Sequence, residues 1–141
     1  MLALGTKPDG SAWRIGLQDV DGDEASYFGI LSLRGLFLST SGDYEQSFVR
    51  NGRRYHHILD KSTGFPADSG LRAVSVVAKN GALSEAYSTA LFVMGLEKAL
   101  EFQKITGSFE AVFVTSEKRV VCTPGLKRNF QFTGKNLGYR C

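Results

Sequence analysis

Residues 72–95 read RAVSVVAKNGALSEAYSTALFVMG. The first eight, Arg72 to Lys79, form a run rich in β-branched residues, as fills a buried strand. From Asn80 the period changes. Leu83, Ala86, Ala90 and Met94 fall at helical spacing, as do Tyr87 and Leu91, and Gly95 supplies a stop. A buried strand running straight into an amphipathic helix sets the fold class. Downstream, Glu97 to Ile105 predicts a second amphipathic helix closed by Gly107, and Glu110 to Thr115 and Arg119 to Thr123 predict two short strands across a Ser116-Glu117-Lys118 turn. Residues 124–141 contain two glycine-bearing breaks and fix no element.

Upstream, Trp13 to Val20 (WRIGLQDV) alternates apolar and polar residues after a Pro8-Asp9-Gly10 turn and reads as a strand. Asp19 to Ala25 is an acidic loop, and Phe28 to Ser39 is apolar enough for one or two strands. Ser39-Thr40-Ser41-Gly42-Asp43 reads as a small polar loop. Tyr44 to Val49 and Arg53 to Ile58 flank Asn51-Gly52, a strong two-residue hairpin signal. Strands, then a helix pair, then strands predict an α+β fold over residues 1–141 as one domain, a largely antiparallel sheet with the helix pair packed on it.

Of the 141 residues, 43% are apolar and 22% charged, enough for a real core. A formal net charge of +3 is too small to argue for nucleic acid, and the Arg50–Arg54 neighbourhood is interrupted by Asn51 and Gly52 as a turn. Two cysteines, Cys122 and Cys141, make no disulfide framework; Cys122 lies in an apolar run and reads as a buried inert thiol. The start, Met1 to Gly5, lacks a basic signal-peptide region, and no apolar run approaches the roughly 20 residues needed to span a bilayer. The chain is expected to be soluble.

Three clusters carry chemistry. Thr40-Ser41-Gly42-Asp43-Tyr44-Glu45 places small hydroxyl residues around a glycine and could form an anion nest. Residues 55–70, YHHILDKSTGFPADSG, gather two imidazoles, two carboxylates, hydroxyls, two glycines and a proline; His57 and Asp60 read as base and orienting partner, or as two polar ligand contacts. In Leu83 to Ala90, Glu85 and Thr89 are four apart and share a helix face, offering oxygen ligands to Mg²⁺. The bland reading of Glu85 is a helix-start carboxylate favoured by the dipole. P-loop, GxGxxG, zinc-ligand and HExxH patterns are absent. The residues themselves stop at a phosphate-bearing ligand, with or without Mg²⁺, held by loops on a β-rich scaffold.

At these clusters the chain resembles the ApbE-type FAD:protein FMN transferase family. The matching runs are Ser41-Gly42-Asp43-Tyr44-Glu45, His56-His57-Ile58-Leu59-Asp60 with Thr63-Gly64 and Pro66-Ala67, and Ser88-Thr89-Ala90-Leu91-Phe92-Val93-Met94-Gly95. The start, Leu2-Ala3-Leu4-Gly5 with Pro8-Asp9-Gly10 and Trp13-Arg14-Ile15-Gly16, resembles a segment found mid-chain in that family. The resemblance implies an Mg²⁺-dependent enzyme that moves the FMN half of FAD onto a Thr or Ser of an acceptor protein and releases AMP; some relatives hydrolyse FAD instead. It implies His57 as base, Glu85 and Thr89 as metal ligands, and Ser41, Gly42, Asp43, His56, Asp60, Thr63 and Gly64 around the flavin nucleotide.

The chain departs from the family pattern in two ways. Glu85 stands where the family usually has Asp, one methylene longer. Family members are also about twice this length, so the chain resembles a C-terminal half of a larger two-part fold, whose N-terminal half or a second copy would be a partner. The alternatives to a transferase are a flavin- or nucleotide-binding module without turnover, a FAD pyrophosphatase, and an inert domain that dimerises through an exposed sheet edge. Family members are commonly exported, membrane-anchored lipoproteins; the residues here leave localisation open.

Overall fold

The computed structural model describes residues 1–23 and 25–141, apart from the side chain of Arg53. Glu24, inside the expected acidic loop, lies outside the described residues. In chain order the elements are β1 (Leu2–Ala3), β2 (Trp13–Gln18), β3 (Tyr27–Leu33), β4 (Leu36–Gly42), β5 (Ser47–Arg50), β6 (Arg53–His56), β7 (Leu71–Ala78), α1 (Gly81–Met94), α2 (Leu96–Thr106), β8 (Phe109–Thr115), β9 (Val120–Cys122) and β10 (Phe130–Phe132). Short 3₁₀ turns cover Pro124–Leu126 and Gly134–Leu137.

β7 explains the architecture. It sits at the middle of a five-stranded sheet of order β1-β4-β7-β8-β9, antiparallel throughout. Val74 and Val76 face the helices, among Leu91, Phe92 and Phe113. Ala73 and Val77 face the other way, among Phe28, Leu31 and Val112. A strand buried on both faces has no need to alternate, which is why residues 72–79 read as a nearly continuous apolar run. The second face is covered by a three-stranded sheet of order β10-β3-β2, and β5 and β6 form a separate hairpin. Leu91, Phe92 and Phe113 are fully buried, and each such side chain contributes about 1.5–3 kcal/mol of transfer free energy.

The helix boundaries follow local chemistry. The Asn80 side chain accepts a 3.1 Å hydrogen bond from the Leu83 N–H, satisfying an orphan donor of the first turn of α1. Gly95, at φ +80°, ends α1 and starts α2, and Gly107 closes α2 in the left-handed region. In the β5–β6 hairpin, Asn51 and Gly52 both have positive φ, as a primed turn requires. The α+β class and largely antiparallel sheet agree with the sequence.

One segment does not. Ser39 to Gly42 is not a loop: it completes β4, paired residue by residue with β7 from Ser39↔Val76 to Gly42↔Ala73. The Asp43 N–H also goes to the Arg72 carbonyl, at 3.0 Å. Successive N–H groups of an extended strand point to opposite sides, so they cannot converge as an anion nest. Gly42 is required for another reason: a Cβ there would lie 2.5 Å from the Tyr44 ring.

Candidate functional site

Ser39 and Ser41 of β4 face α1. Ser41 Oγ lies 2.8 Å from Ser88 Oγ and 3.1 Å from Thr89 Oγ1. One rung along, Ser39 Oγ lies 3.0 Å from Ser84 Oγ. Ser84 and Ser88 are fully buried, and their small side chains let the helix sit close to the sheet. This seam joins the first and third sequence clusters, 48 residues apart at Ser41 and Thr89. Ser84 and Ser88 went unread as functional residues because, in sequence, serines in a helix suggest only reduced propensity.

Glu85 is exposed one helical turn before Thr89. It lines a cavity of about 310 Å³ with Ser39, Thr40, Tyr44, Glu45 and Ser75. Burial, with help from the Glu45 and Asp43 charges, pushes the Tyr44 hydroxyl up to about 12. Among the described residues no three His, Cys, Asp or Glu side chains gather as a metal cage. The donors that are present, the Glu85 carboxylate and Thr89 hydroxyl, are both hard oxygens. They fit Mg²⁺, which characteristically takes few protein ligands and keeps waters or substrate phosphate oxygens.

A second cavity, about 330 Å³, opens where β4 ends and β7 begins, lined by Asp43, Arg54, His56, Asp68, Arg72 and Ser116. Asp43 is buried, and its Oδ2 accepts a 2.6 Å bond from Arg72 Nε. Arg72 also reaches Asp21 Oδ1 at 3.0 Å and the Val20 carbonyl at 3.3 Å. Asp21 in turn pairs with Lys118 at 3.1 Å. Burial pushes the Asp21 carboxyl up, but hydrogen bonds from Lys118 and Arg72 outweigh it and hold the group below its ordinary value. Arg72 was missed in the sequence because it stands at the mouth of an apolar strand with no nearby acidic partner; its partners are 29 and 51 residues away.

The two imidazoles of the second cluster part company. His56 ends β6, its Nε2 lies 3.2 Å from the Ala67 carbonyl, and its ring meets Phe92 edge-on at 5.6 Å. A carbonyl only accepts, so His56 Nε2 carries a proton. His56 Nδ1 and Asp43 Oδ1 are buried without a hydrogen-bond partner among the described residues. His57 is exposed.

Asp60, Thr63 and Gly64 build a tight turn. Asp60 Oδ1 accepts from the Ser62 N–H at 2.8 Å and the Ser62 hydroxyl at 2.7 Å, which holds its carboxyl below the ordinary range. Gly64, at φ +71°, donates to the Asp60 carbonyl at 2.8 Å. The turn closes on the Leu59–Pro66 bridge and lines a cavity of its own with Phe65 and Asp68. The structure thus brings Ser41 to Thr89 and Asp43 to the His56 cavity, while Asp60 orders its own loop rather than His57.

The ApbE family profile matches residues 1–113. A FAD:protein FMN transferase of Treponema pallidum is 37% identical over 114 residues, covering 81% of this chain and 32% of that protein. Its namesake in Klebsiella pneumoniae is 31% identical over 128 residues, covering 91% and 40%. Among solved structures, the ApbE protein of Thermotoga maritima superposes with a TM-score of 0.78 at 34% identity, over 89% of this chain and 40% of that one. The apo form of the Pseudomonas stutzeri flavinyl transferase ApbE gives 0.68 at 38% identity, over 89% and 39%. The chain spans between 32% and 40% of the length of these relatives.

Proposed function

The chain belongs to the ApbE family, and on that footing we propose that it forms the metal- and nucleotide-facing part of a Mg²⁺-dependent FAD:protein FMN transferase. The observation that carries this reading is the seam between β4 and α1, which sets the Thr89 hydroxyl against Ser41 one helical turn from the Glu85 carboxylate. Glu85 and Thr89 would hold the cation. When bound, Mg²⁺ would neutralise charge on the two phosphates of FAD.

In this reaction the hydroxyl oxygen of an acceptor Thr or Ser bonds to the FMN phosphorus of FAD. The bond from that phosphorus to the bridging oxygen breaks, AMP leaves with that oxygen, and the hydroxyl proton passes to a base. His57 is the proposed base, its exposed ring being open to an incoming protein. Ser41, Gly42, Asp43, His56, Asp60, Thr63 and Gly64 are proposed to border the nucleotide, with Asp43 Oδ1 and His56 Nδ1 offering unspent buried atoms. FAD and an acceptor protein are the partners; the rest of the family fold, or another copy of the chain, would complete the site. A second reading, a flavin-nucleotide-binding module without turnover, draws on the Asp60 carboxylate, which is bonded to Ser62 and not to His57.

The test supplies FAD, Mg²⁺ and a Thr-bearing acceptor to the chain, alone and joined to the remainder of the Thermotoga maritima relative. AMP is followed by chromatography and the acceptor by mass. Equal yields of AMP and flavinylated acceptor are expected from the joined protein. AMP without flavinylation assigns FAD hydrolysis, and FAD binding without AMP assigns the binding module. Neither binding nor AMP overturns the proposal.

A further inference from the structure

The hydroxyl seam has a forced polarity. Ser88 donates its only hydroxyl proton to the Glu85 carbonyl at 2.9 Å, because a carbonyl can only accept. The 2.8 Å contact between Ser88 and Ser41 must then use the Ser41 proton. The 3.1 Å contact between Ser41 and Thr89 must in turn use the Thr89 proton. Three protons serve three contacts in one direction, and any other assignment breaks a bond inside a buried seam. The neighbouring rung runs the same way: Ser84 donates to the Gly81 carbonyl at 2.8 Å, which leaves Ser39 to donate to Ser84 at 3.0 Å.

We infer that Ser41 is a positioning residue that fixes Thr89 as an acceptor-only oxygen, so that Thr89 meets a phosphate-bearing ligand through a cation and not by direct donation. A threonine in a helix ordinarily turns its hydroxyl back to a carbonyl three or four residues earlier. Here the carbonyl four residues earlier, that of Glu85, receives the Ser88 proton, and the Thr89 proton is committed to Ser41 on the sheet. Thr89 is exposed, and with its proton committed inward the oxygen offers lone pairs alone. Lone pairs attract Mg²⁺ and repel a phosphate oxygen. Partners that orient a ligating side chain in this way are worth roughly 10–100-fold in metal affinity. The inference rests on the proposed cation role of Glu85 and Thr89 and adds what sets the geometry and selectivity of that site.

The experiment measures Mn²⁺ affinity by electron paramagnetic resonance with FAD present, for wild type, Ser41→Ala, Ser88→Ala and Thr89→Val, and follows the metal-free Thr89 χ1 rotamer by three-bond NMR couplings. Ser41→Ala removes the acceptor for the Thr89 proton and should weaken Mn²⁺ roughly tenfold or more. It should also let the Thr89 rotamer average. Ser88→Ala deletes a hydroxyl still more deeply buried than that of Ser41, 0% against 8% exposed, but leaves Ser41 to accept from Thr89. It should keep one rotamer and stay within about threefold of wild type, as expected for an indirect loss below ~1 kcal/mol. A purely structural seam predicts equal effects for the two serines. Wild-type binding with Ser41→Ala equal to Ser88→Ala overturns the inference while the cation reading stands. Absence of Mn²⁺ binding to wild type, or unchanged binding in Thr89→Val, overturns the cation reading and this inference with it.

Discussion

Replacing Arg72 by Met should be among the most damaging single changes in the molecule, although it removes an ionic side chain from the end of a strand. The Arg72 and Asp43 side chains are only 16% and 12% exposed, and their bond is 2.6 Å. Asp43 Oδ1 already lacks a partner among the described residues. Losing Arg72 therefore strands a buried carboxylate, for which the typical cost is about 3–5 kcal/mol. It also frees the Val20 carbonyl from its 3.3 Å bond, worth about 1 kcal/mol or less. Methionine recovers some packing, so the expected loss is about 3–4 kcal/mol. With a urea m-value of about 1.5–2 kcal/mol/M, the midpoint falls by about 2 M. Asp43→Asn should cost less, about 1–2 kcal/mol, because the amide oxygen still accepts from Arg72 and Arg72 keeps Asp21. The Arg72→Met/Asp43→Leu double variant should be more stable than Arg72→Met alone, since no charge is left buried. Urea melts of the four proteins of the cycle, with Asp43→Leu as the second single variant, decide it. A loss under about 1 kcal/mol for Arg72→Met, or strict additivity in the cycle, refutes the reasoning.

Asp21 makes a pH prediction: its carboxyl is held below the ordinary value of 3.8 in the folded protein, so it contributes stability above its unfolded pKa and loses it as pH falls through the lower folded value. Asp21→Asn should flatten the acid side of the urea-midpoint profile below about pH 5, and an unchanged slope would count against the Lys118 and Arg72 bonds. Burial pushes the Cys122 thiol up to about 11, while Cys141 is exposed; at pH 8 iodoacetamide should alkylate Cys141 well before Cys122 by peptide mass, and equal rates would contradict the burial. His56→Ala should cost about 1–3 kcal/mol by losing its bond to Ala67 and its contact with Phe92. His57→Ala should leave the melt within about 0.5 kcal/mol and lower AMP release by roughly 10²–10⁴ in the joined protein; wild-type release would remove the base role.

The elements could be read because their signals are local. Asn51-Gly52, the Asn80 cap, Gly95 and Gly107 each act within a few residues, and β7 announces its two-sided burial through Val74, Val76 and Val77. Ser39 to Asp43 misled because a strand of serines and threonines looks like a turn when its partners are unseen. Those hydroxyls are satisfied by Ser75, Ser84 and Ser88, between 35 and 47 residues later, and no local pattern encodes that distance. The candidate site divides the same way. The i,i+4 spacing of Glu85 and Thr89 could be read from helix geometry alone. Which of His56 and His57 turns inward depends on where β6 ends and on Phe92 across the chain, so sequence gives only that one of them must.

The pieces that hold the site come from far apart, and this bears on how residues 114–141, outside the family match, contribute. Tyr139 is buried, stacks on Phe28 at 5.1 Å and donates a 2.6 Å hydrogen bond to Asp19 Oδ1. Its hydroxyl also accepts from the Val20 N–H at 3.0 Å. Gly134 makes room for this packing, since a Cβ there would lie 2.9 Å from Phe28 and 3.0 Å from Tyr139. Val20 and Asp21 then pass the constraint to Arg72, and Arg72 to Asp43 at the end of β4. Ser41 stands in β4 two residues before Asp43, holding Thr89. The tail therefore closes the core over the second face of the central sheet and, through the acidic loop, pins the strand end from which both the Asp43 cavity and the hydroxyl seam are built.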